Sequence, residues 1–248
     1  MRRIDDPYRA LADVYDLMAG DPALQEYYRE WRELLLRTIA ERKIVVRTLI
    51  DLACGTGNST IPWTRRRGWN VVGVDRSPAM LREARTKSNR VRWYCQDLRD
   101  LRLKERADAV TCHFDALNHI LQPRELQKVF IRVAGILNPG GLFQFDINTE
   151  YWFRWLNGRE KLFCMGNTYL TSSNHYDPER RIVNMRHLWF IPKKGLYERR
   201  DLEVKERPYT TAEIRALAAR AGLRVLRVRI QRRLEGKPIR TIYILEKP

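Results

Sequence analysis

The chain has 248 residues, of which 44% are hydrophobic and 31% charged. That composition excludes a disordered chain, and no apolar run approaches the roughly 18 residues of a membrane-crossing helix. Lys plus Arg outnumber Asp plus Glu by 47 to 30, and the resulting charge of +17 is spread along the chain, with no basic tail or Arg-Gly repeat, so it admits acidic partners without singling out nucleic acid.

Met1-Arg2-Arg3 is followed by Ile4-Asp5-Asp6-Pro7 with no apolar stretch behind it, so a secretory leader is not expected. Residues 8–40 read as helical, with Leu11, Tyr15, Leu24, Tyr27, Tyr28, Trp31, Leu34 and Leu35 at helical spacing and a break at Gly20-Asp21-Pro22. Short apolar strands then begin. The first runs from Val45 into Asp51-Leu52-Ala53, the second is Val71–Val74, the third Val91–Cys95, the fourth Ala107–Cys112 and the fifth Leu142–Asp146. Helical stretches are expected around 58–67, 78–88 and 123–137, the last ended by Asn138-Pro139-Gly140-Gly141. Alternation of this kind predicts an α/β fold with a parallel sheet covered on both faces.

From 151 to 208 the rhythm is lost and aromatics crowd the chain. Asp177-Pro178-Glu179-Arg180 reads as a turn between strands at 167–175 and 182–191, with a third strand at 197–205, which together make a small antiparallel insertion. Thr210 or Thr211 then caps a helix through Ile214, Leu217 and Ala218 to Gly222. Strands at 223–230 and 239–246 follow, joined by Glu235-Gly236-Lys237-Pro238, and so short a turn makes the pair antiparallel. Four units are expected: 1–40, helical; 41–150, the α/β core; 151–208, the insertion; and 209–248, a helix and hairpin completing the core sheet.

Chemistry concentrates at the strand ends. Leu49-Ile50-Asp51-Leu52-Ala53-Cys54-Gly55-Thr56-Gly57 carries a buried strand into a glycine turn, where Gly55 and Gly57 let the backbone bend and approach a ligand. Asp75 ends the second strand, followed by Arg76, and is placed to accept the hydroxyls of a ribose; the competing reading is a helix-capping acid. Gln96-Asp97-Leu98 closes the third strand, where Asp97 can accept from an exocyclic amine and neighbouring backbone groups can pair with a ring edge. A nicotinamide or flavin turn asks for Gly-x-Gly-x-x-Gly, and its third glycine is Thr60 here. Cys54, Cys95, Cys112 and Cys164 form no Cys-x-x-Cys pair, so neither a metal ligand set nor a disulfide framework is expected, and the expected setting is a reducing cytoplasm.

Together, Asp51-x-x-x-Gly55-x-Gly57, Val74-Asp75-x-Ser77, Gln96-Asp97 and Asn138-Pro139-Gly140-Gly141 resemble the class I S-adenosylmethionine-dependent methyltransferases, over residues 8–150 and 208–248. The resemblance implies a seven-stranded, mostly parallel Rossmann-like sheet with the last strand antiparallel. It implies S-adenosyl-L-methionine as cofactor and S-adenosyl-L-homocysteine as product. The glycine turn and Asp51 would hold the methionine part, Asp75 the ribose and Asp97 the adenine amine, with Ala53, Arg76, Gln96, Leu98 and His113 also at the cofactor. Tyr15-Asp16-Leu17-Met18 with Tyr28 and Trp31 looks like the N-terminal lid of bacterial small-molecule methyltransferases, a group in which an insertion after strand five also occurs.

The expected acceptor is a small molecule methylated on nitrogen or oxygen. His119 is the candidate base, since an unshifted imidazole titrates near about 6.5. Asp115 stands beside it and Tyr15 can close over the methyl; a core or surface role for His119, a helix cap at Asp115 and core packing at Tyr15 are the competing readings. Asp146 can orient the acceptor or bond the following backbone, and His175, His187, Trp189 and Arg154 of the insertion can contact it, or the insertion's aromatics can form their own core or a dimer contact. A tRNA or rRNA methyltransferase is the runner-up on charge alone; no Asn-Pro-Pro-Tyr, Asp-Pro-Pro-Tyr or Pro-Cys sequence supports it. A non-catalytic cofactor-binding regulator is the third reading. No membrane partner is expected, and the chain is expected to be a monomer or homodimer.

Overall fold

The computed structural model describes residues 6–19 and 21–248. Met1–Asp5 of the N-terminal stretch, and Gly20 of the expected helix break, lie outside the described residues.

Seven strands form the central sheet: β1 (Thr48–Leu52), β2 (Asn70–Asp75), β3 (Arg92–Cys95), β4 (Ala107–Cys112), β5 (Leu137–Asn148), β10 (Arg224–Leu234) and β11 (Lys237–Glu246). Their spatial order is β10-β11-β5-β4-β1-β2-β3. Six run parallel, and β11 is reversed and inserted between β10 and β5. The central strands are apolar on both faces because helices cover both. Leu49 packs with α2 (Pro22–Glu41), through Trp31, Leu34, Leu35 and Ile39. Its neighbour Ile50 points the other way, into a core built with α4 (Pro123–Ile136) and α6 (Thr211–Arg220). α3 (Pro78–Lys87) is capped by Ser77, whose side chain accepts from the Met80 amide. The order reverses between β1 and β4, and such a switch opens a crevice at the carboxyl ends of the strands.

A second, four-stranded antiparallel sheet comprises β6 (Glu160–Met165), β7 (Thr168–Asp177), β8 (Ile182–Lys193) and β9 (Leu196–Glu206). The N-terminal segment bridges the two sheets. Its Leu11 packs with Leu170, Trp189, Leu202 and Val204 of the small sheet, while Ala12 packs with Ala79 and Met80 of α3. Among the described residues no helix is long and apolar enough to cross a membrane.

The structure departs from expectation in several elements. Residues 7–10 form a 3-10 turn, 11–15 are turns, and only Asp16–Ala19 (α1) precedes α2. The helix expected over 58–67 is a 3-10 turn at Ile61–Arg65, because Ser59 and Thr60 turn their hydroxyls back onto Asp51 and Pro62 enters the first turn. α5 (Glu150–Leu156) and β6 were not expected. Thr149 caps α5 by accepting from the Trp152 amide, a signal hidden in an aromatic-rich stretch. The final hairpin turns on Glu235 and Gly236 alone, both at positive φ, so its strands run longer than expected.

Candidate functional site

The strand-end crevice holds a cavity of about 160 Å³. Ala53, Gly55, Asp75, Arg76, Asp97, Leu98 and His113 line it from the sheet side, and Tyr8, Tyr15, Phe114, Ala116, His119 and Ile120 from above. Gly55 has φ +53°, and a Cβ built there would meet nothing within 4 Å, so its missing side chain opens directly on the cavity. Ala53 shares the left-handed conformation, at φ 51°. The Gly55 and Ser77 amides each donate to Asp75, both at 2.8 Å. The Asp75 carboxylate therefore faces the cavity in a fixed pose with lone pairs to spare. Burial pushes its pKa up, against the pull of the two amides.

Three of the expected binding residues sit behind the cavity wall. Asp51 is 1% exposed and accepts from the hydroxyls of Thr111 (2.6 Å), Ser59 (2.7 Å) and Thr60 (2.6 Å), so its carboxylate locks the glycine turn and does not line the cavity. Gly57 packs against Trp93: a Cβ there would lie 2.7 Å from the indole. Gln96 spends its side chain on both backbone groups of Arg102. Asp97 does line the cavity, but Arg99 forks its carboxylate and the Arg99 amide bonds it as well. Burial works against ionisation of Asp97, and Arg99 outweighs it and holds the pKa below the usual carboxylate range.

The N-terminal segment closes the cavity. Asp16 accepts from Thr56 (2.6 Å), Asn58 (2.8 Å) and Lys87 (2.5 Å), Ser77 donates to Asp6 (2.8 Å), and Arg200 of β9 donates to the Ala10 carbonyl (2.8 Å) and Asp13 (2.5 Å). Tyr8 and Tyr15 are thereby set edge to face, 6.0 Å apart. Burial raises both phenol pKa values, which favours the neutral, protonated rings.

The chain leaves β4 through an unusual turn, with both Phe114 (φ 63°) and Asp115 (φ 50°) left-handed. A buried ion triad holds that strain. Arg240 of β11 donates to Asp146 of β5 and, at 3.2 Å, to Asp115, while the Asp115 amide donates to Asp146 at 3.0 Å. Asp146 therefore pins this turn. Burial raises its pKa to about 6, with Arg240 opposing. His113 stacks on Trp31 at 4.6 Å and pairs with Gln144 at 3.0 Å, and burial lowers its pKa to about 4. It is a neutral wall of the cavity.

His119 stands where this cavity meets a larger, open cleft of about 700 Å³, and both are lined by His119 and Arg76. Its Nε2 lies 3.3 Å from the Tyr8 hydroxyl and 3.6 Å from Glu206. Burial lowers its pKa. The cleft continues over Asn174, His175, Met185, Arg186 and Lys205. His187 faces the same region from β8: its Nδ1 is buried without a partner, and it feels the charges of Asp115 and His119. Trp189 belongs to the small sheet's own core, and Arg154 pairs with Glu150 at the surface, so neither lines the cleft.

Arg240 and Glu206 are site residues that the sequence reading missed. Arg240 carried a readable signal, a lone charge inside the apolar run Ile239–Leu245. Glu206 stands in Lys205-Glu206-Arg207, where two flanking cations give no local sign of its burial.

Residues 49–141 match a family model described as a methyltransferase domain. The chain is 27% identical to a crystal structure of an S-adenosylmethionine-dependent methyltransferase from Clostridium acetobutylicum ATCC 824, over 97% of this chain and 99% of that one, with a TM-score of 0.83. It is 29% identical over 143 residues to dTDP-3-amino-3,6-dideoxy-alpha-D-glucopyranose N,N-dimethyltransferase of Streptomyces fradiae, covering 58% of this chain and 54% of the relative. It is 32% identical over 116 residues to trans-aconitate 2-methyltransferase of Enterobacter sp. (strain 638), covering 42% and 44%. The matched stretches span little more than half the length of the curated relatives at best.

Proposed function

This chain carries a methyltransferase domain on a class I S-adenosylmethionine-dependent methyltransferase fold, and on that premise we propose that it transfers a methyl group from S-adenosylmethionine to nitrogen or oxygen of a small acceptor. The observation that carries the proposal is the adjacency of the two spaces: the strand-end cavity with Gly55 and Asp75 shares the walls His119 and Arg76 with a larger cleft that has room for a second molecule.

The donor set fits the cofactor. Gly55 leaves room at the turn, Asp75 offers a fixed carboxylate to ribose hydroxyls, Leu98 and Ile120 give apolar contact, and His113 and Phe114 wall the far side. Asp97 reaches an adenine amine in this reading by sharing its carboxylate with Arg99. S-adenosylmethionine, when bound, supplies an activated methyl on a positively charged sulfur. The protein's part is alignment and exclusion of water, which accounts for a lid of Tyr8 and Tyr15 strapped down at several points. His119, at the junction, is the group we assign to take an acceptor proton, with Asp115 beside it.

An acidic acceptor is favoured. Arg76, Arg186 and Lys205 line the cleft against one acid, Glu203, the chain carries +17, and the two curated relatives above are named for a nucleotide-linked sugar and a tricarboxylate. Calorimetric titration with S-adenosylhomocysteine, with NAD as control, tests the reading. Micromolar binding of the first and none of the second is expected, and binding of NAD alone would overturn it.

A further inference from the structure

Glu206 ends β9, is 2% exposed, and its Oε2 has no hydrogen-bond partner. One oxygen or nitrogen from each of Asp115, His119 and Glu206 falls within 4.8 Å of the others. Asp115 also shares Arg240 with Asp146, whose Oδ1 is likewise unpartnered. Three carboxyl groups thus lie around a single guanidinium, two of them, on Asp146 and Glu206, almost fully buried. Such an excess is relieved either by keeping protons on the carboxyls or by admitting a second cation. The first is visible: burial, reinforced by Asp115, drives the Glu206 pKa well up. The second has an address, because His119 opens both onto the cavity and onto the cleft.

We propose that Glu206, with Asp115, makes the junction at His119 a receptor for a cationic nitrogen, and so commits the acceptor to amines in preference to alcohols. This rests on the methyl-transfer reading above. His119 Nε2 faces Tyr8 and Glu206, and in the neutral ring protonated on Nδ1 it turns a lone pair toward them. An amine bound as ammonium is no nucleophile. It becomes one when an N–H proton passes to Nε2, the bonding pair staying on nitrogen, and the imidazolium then lies against the carboxylates. The nitrogen pair next bonds the methyl carbon, whose old bonding pair leaves with sulfur. Positive charge thereby returns to nitrogen, where the same carboxylates face it. An alcohol acceptor would pass toward an alkoxide, which those carboxylates repel. The other charged or titrating groups around the junction are Tyr8 from the N-terminal segment, Arg76 after β2, Asp146 on β5, His187 on β8 and Arg240 on β11.

The test follows the His119 ring by NMR in the full chain, with and without S-adenosylhomocysteine, while ethylammonium or its isostere ethanol is added near neutral pH. Ethylammonium should bind at least about tenfold tighter than ethanol, and Glu206→Gln should lose about tenfold of that preference, one buried charge being worth roughly a pKa unit. Glu206→Gln should also move the His119 titration to lower pH, which a purely structural role would not do. Asp115→Asn gives the same reading if the first variant does not fold. Equal response to the two probes, undiminished preference in the folded variants, or selective response to Mg²⁺ alone would overturn the proposal. Failure of S-adenosylhomocysteine to bind would strike the methyl-transfer reading instead, and the ethylammonium arm would still decide the receptor.

Discussion

The two glycines of the turn look equivalent in Gly55-x-Gly57 and are not. Gly57 sits at φ +85° with its missing Cβ 2.7 Å from Trp93, so any side chain meets both strain and a clash. Gly55 sits at φ +53° facing open space. Gly57→Ala should therefore lower stability by about 2–3 kcal/mol, seen as a lower melting temperature. Gly55→Ala should lose only about 1 kcal/mol of stability while its methyl group enters the cavity and weakens S-adenosylhomocysteine binding about tenfold or more. A melt and a calorimetric titration on each variant separate the two, and the opposite pattern would mean that Gly57, not Gly55, faces the ligand. Asp51 teaches the same lesson. Its spacing before the glycines is legible in the sequence, yet the structure gives its carboxylate to three hydroxyls.

At the scale of elements, β11 reaches into the site through Arg240. Replacing Arg240 with Met leaves Asp146 and Asp115 without their cation in a buried position, and should destabilise the fold by about 3–5 kcal/mol in urea unfolding. Adding Asp146→Asn should recover part of that loss, and no recovery would show that packing of the Arg240 stem, not charge, carries the effect. The strands, the glycine turn and the acids at β1, β2 and β3 are legible because each is encoded within a few neighbouring residues. The Arg240 triad is not, because its members stand 94 and 125 residues apart and meet only through sheet registers. β6 and α5 escaped for a different reason. β6 is an edge strand with only half-buried or exposed residues, so it lacks the alternation that marks a strand.

For the whole molecule, two buried groups pull the pH dependence of stability in opposite directions. His113 is held neutral, with a folded pKa of about 4 against an unfolded value of about 6.5. Its contribution is complete above about 6.5 and is lost as pH falls through about 4. Asp146 has a folded pKa of about 6 against about 3.9 unfolded. Its contribution is complete below about 3.9 and is lost as pH rises through about 6. Each spans about 3 kcal/mol, so between about pH 4 and 6 they largely offset one another. Glu213, held down to about 2 by Arg181 against its own burial, loses its contribution only as pH falls from about 4.5 toward about 2. His113→Gln should tilt the profile: relative to the parent chain, the variant should gain stability on acidification from about pH 6 to 4.5, because the loss from charging His113 is removed. Urea midpoints of both chains across that window would check it, and equal slopes would mean that His113 is not held neutral there.

The placement of β11 has a bearing on biosynthesis. It is made after the other six strands of its sheet, yet it lies inside that sheet and supplies the cation that holds the turn after β4. A nascent chain on the ribosome can form β1 to β4 and the glycine turn early, but it carries a gap beside β5 and an unneutralised pair of acids until β11 emerges. A chain that stops short of β11 therefore leaves the turn after β4 without its cation and β5 with an unpaired edge.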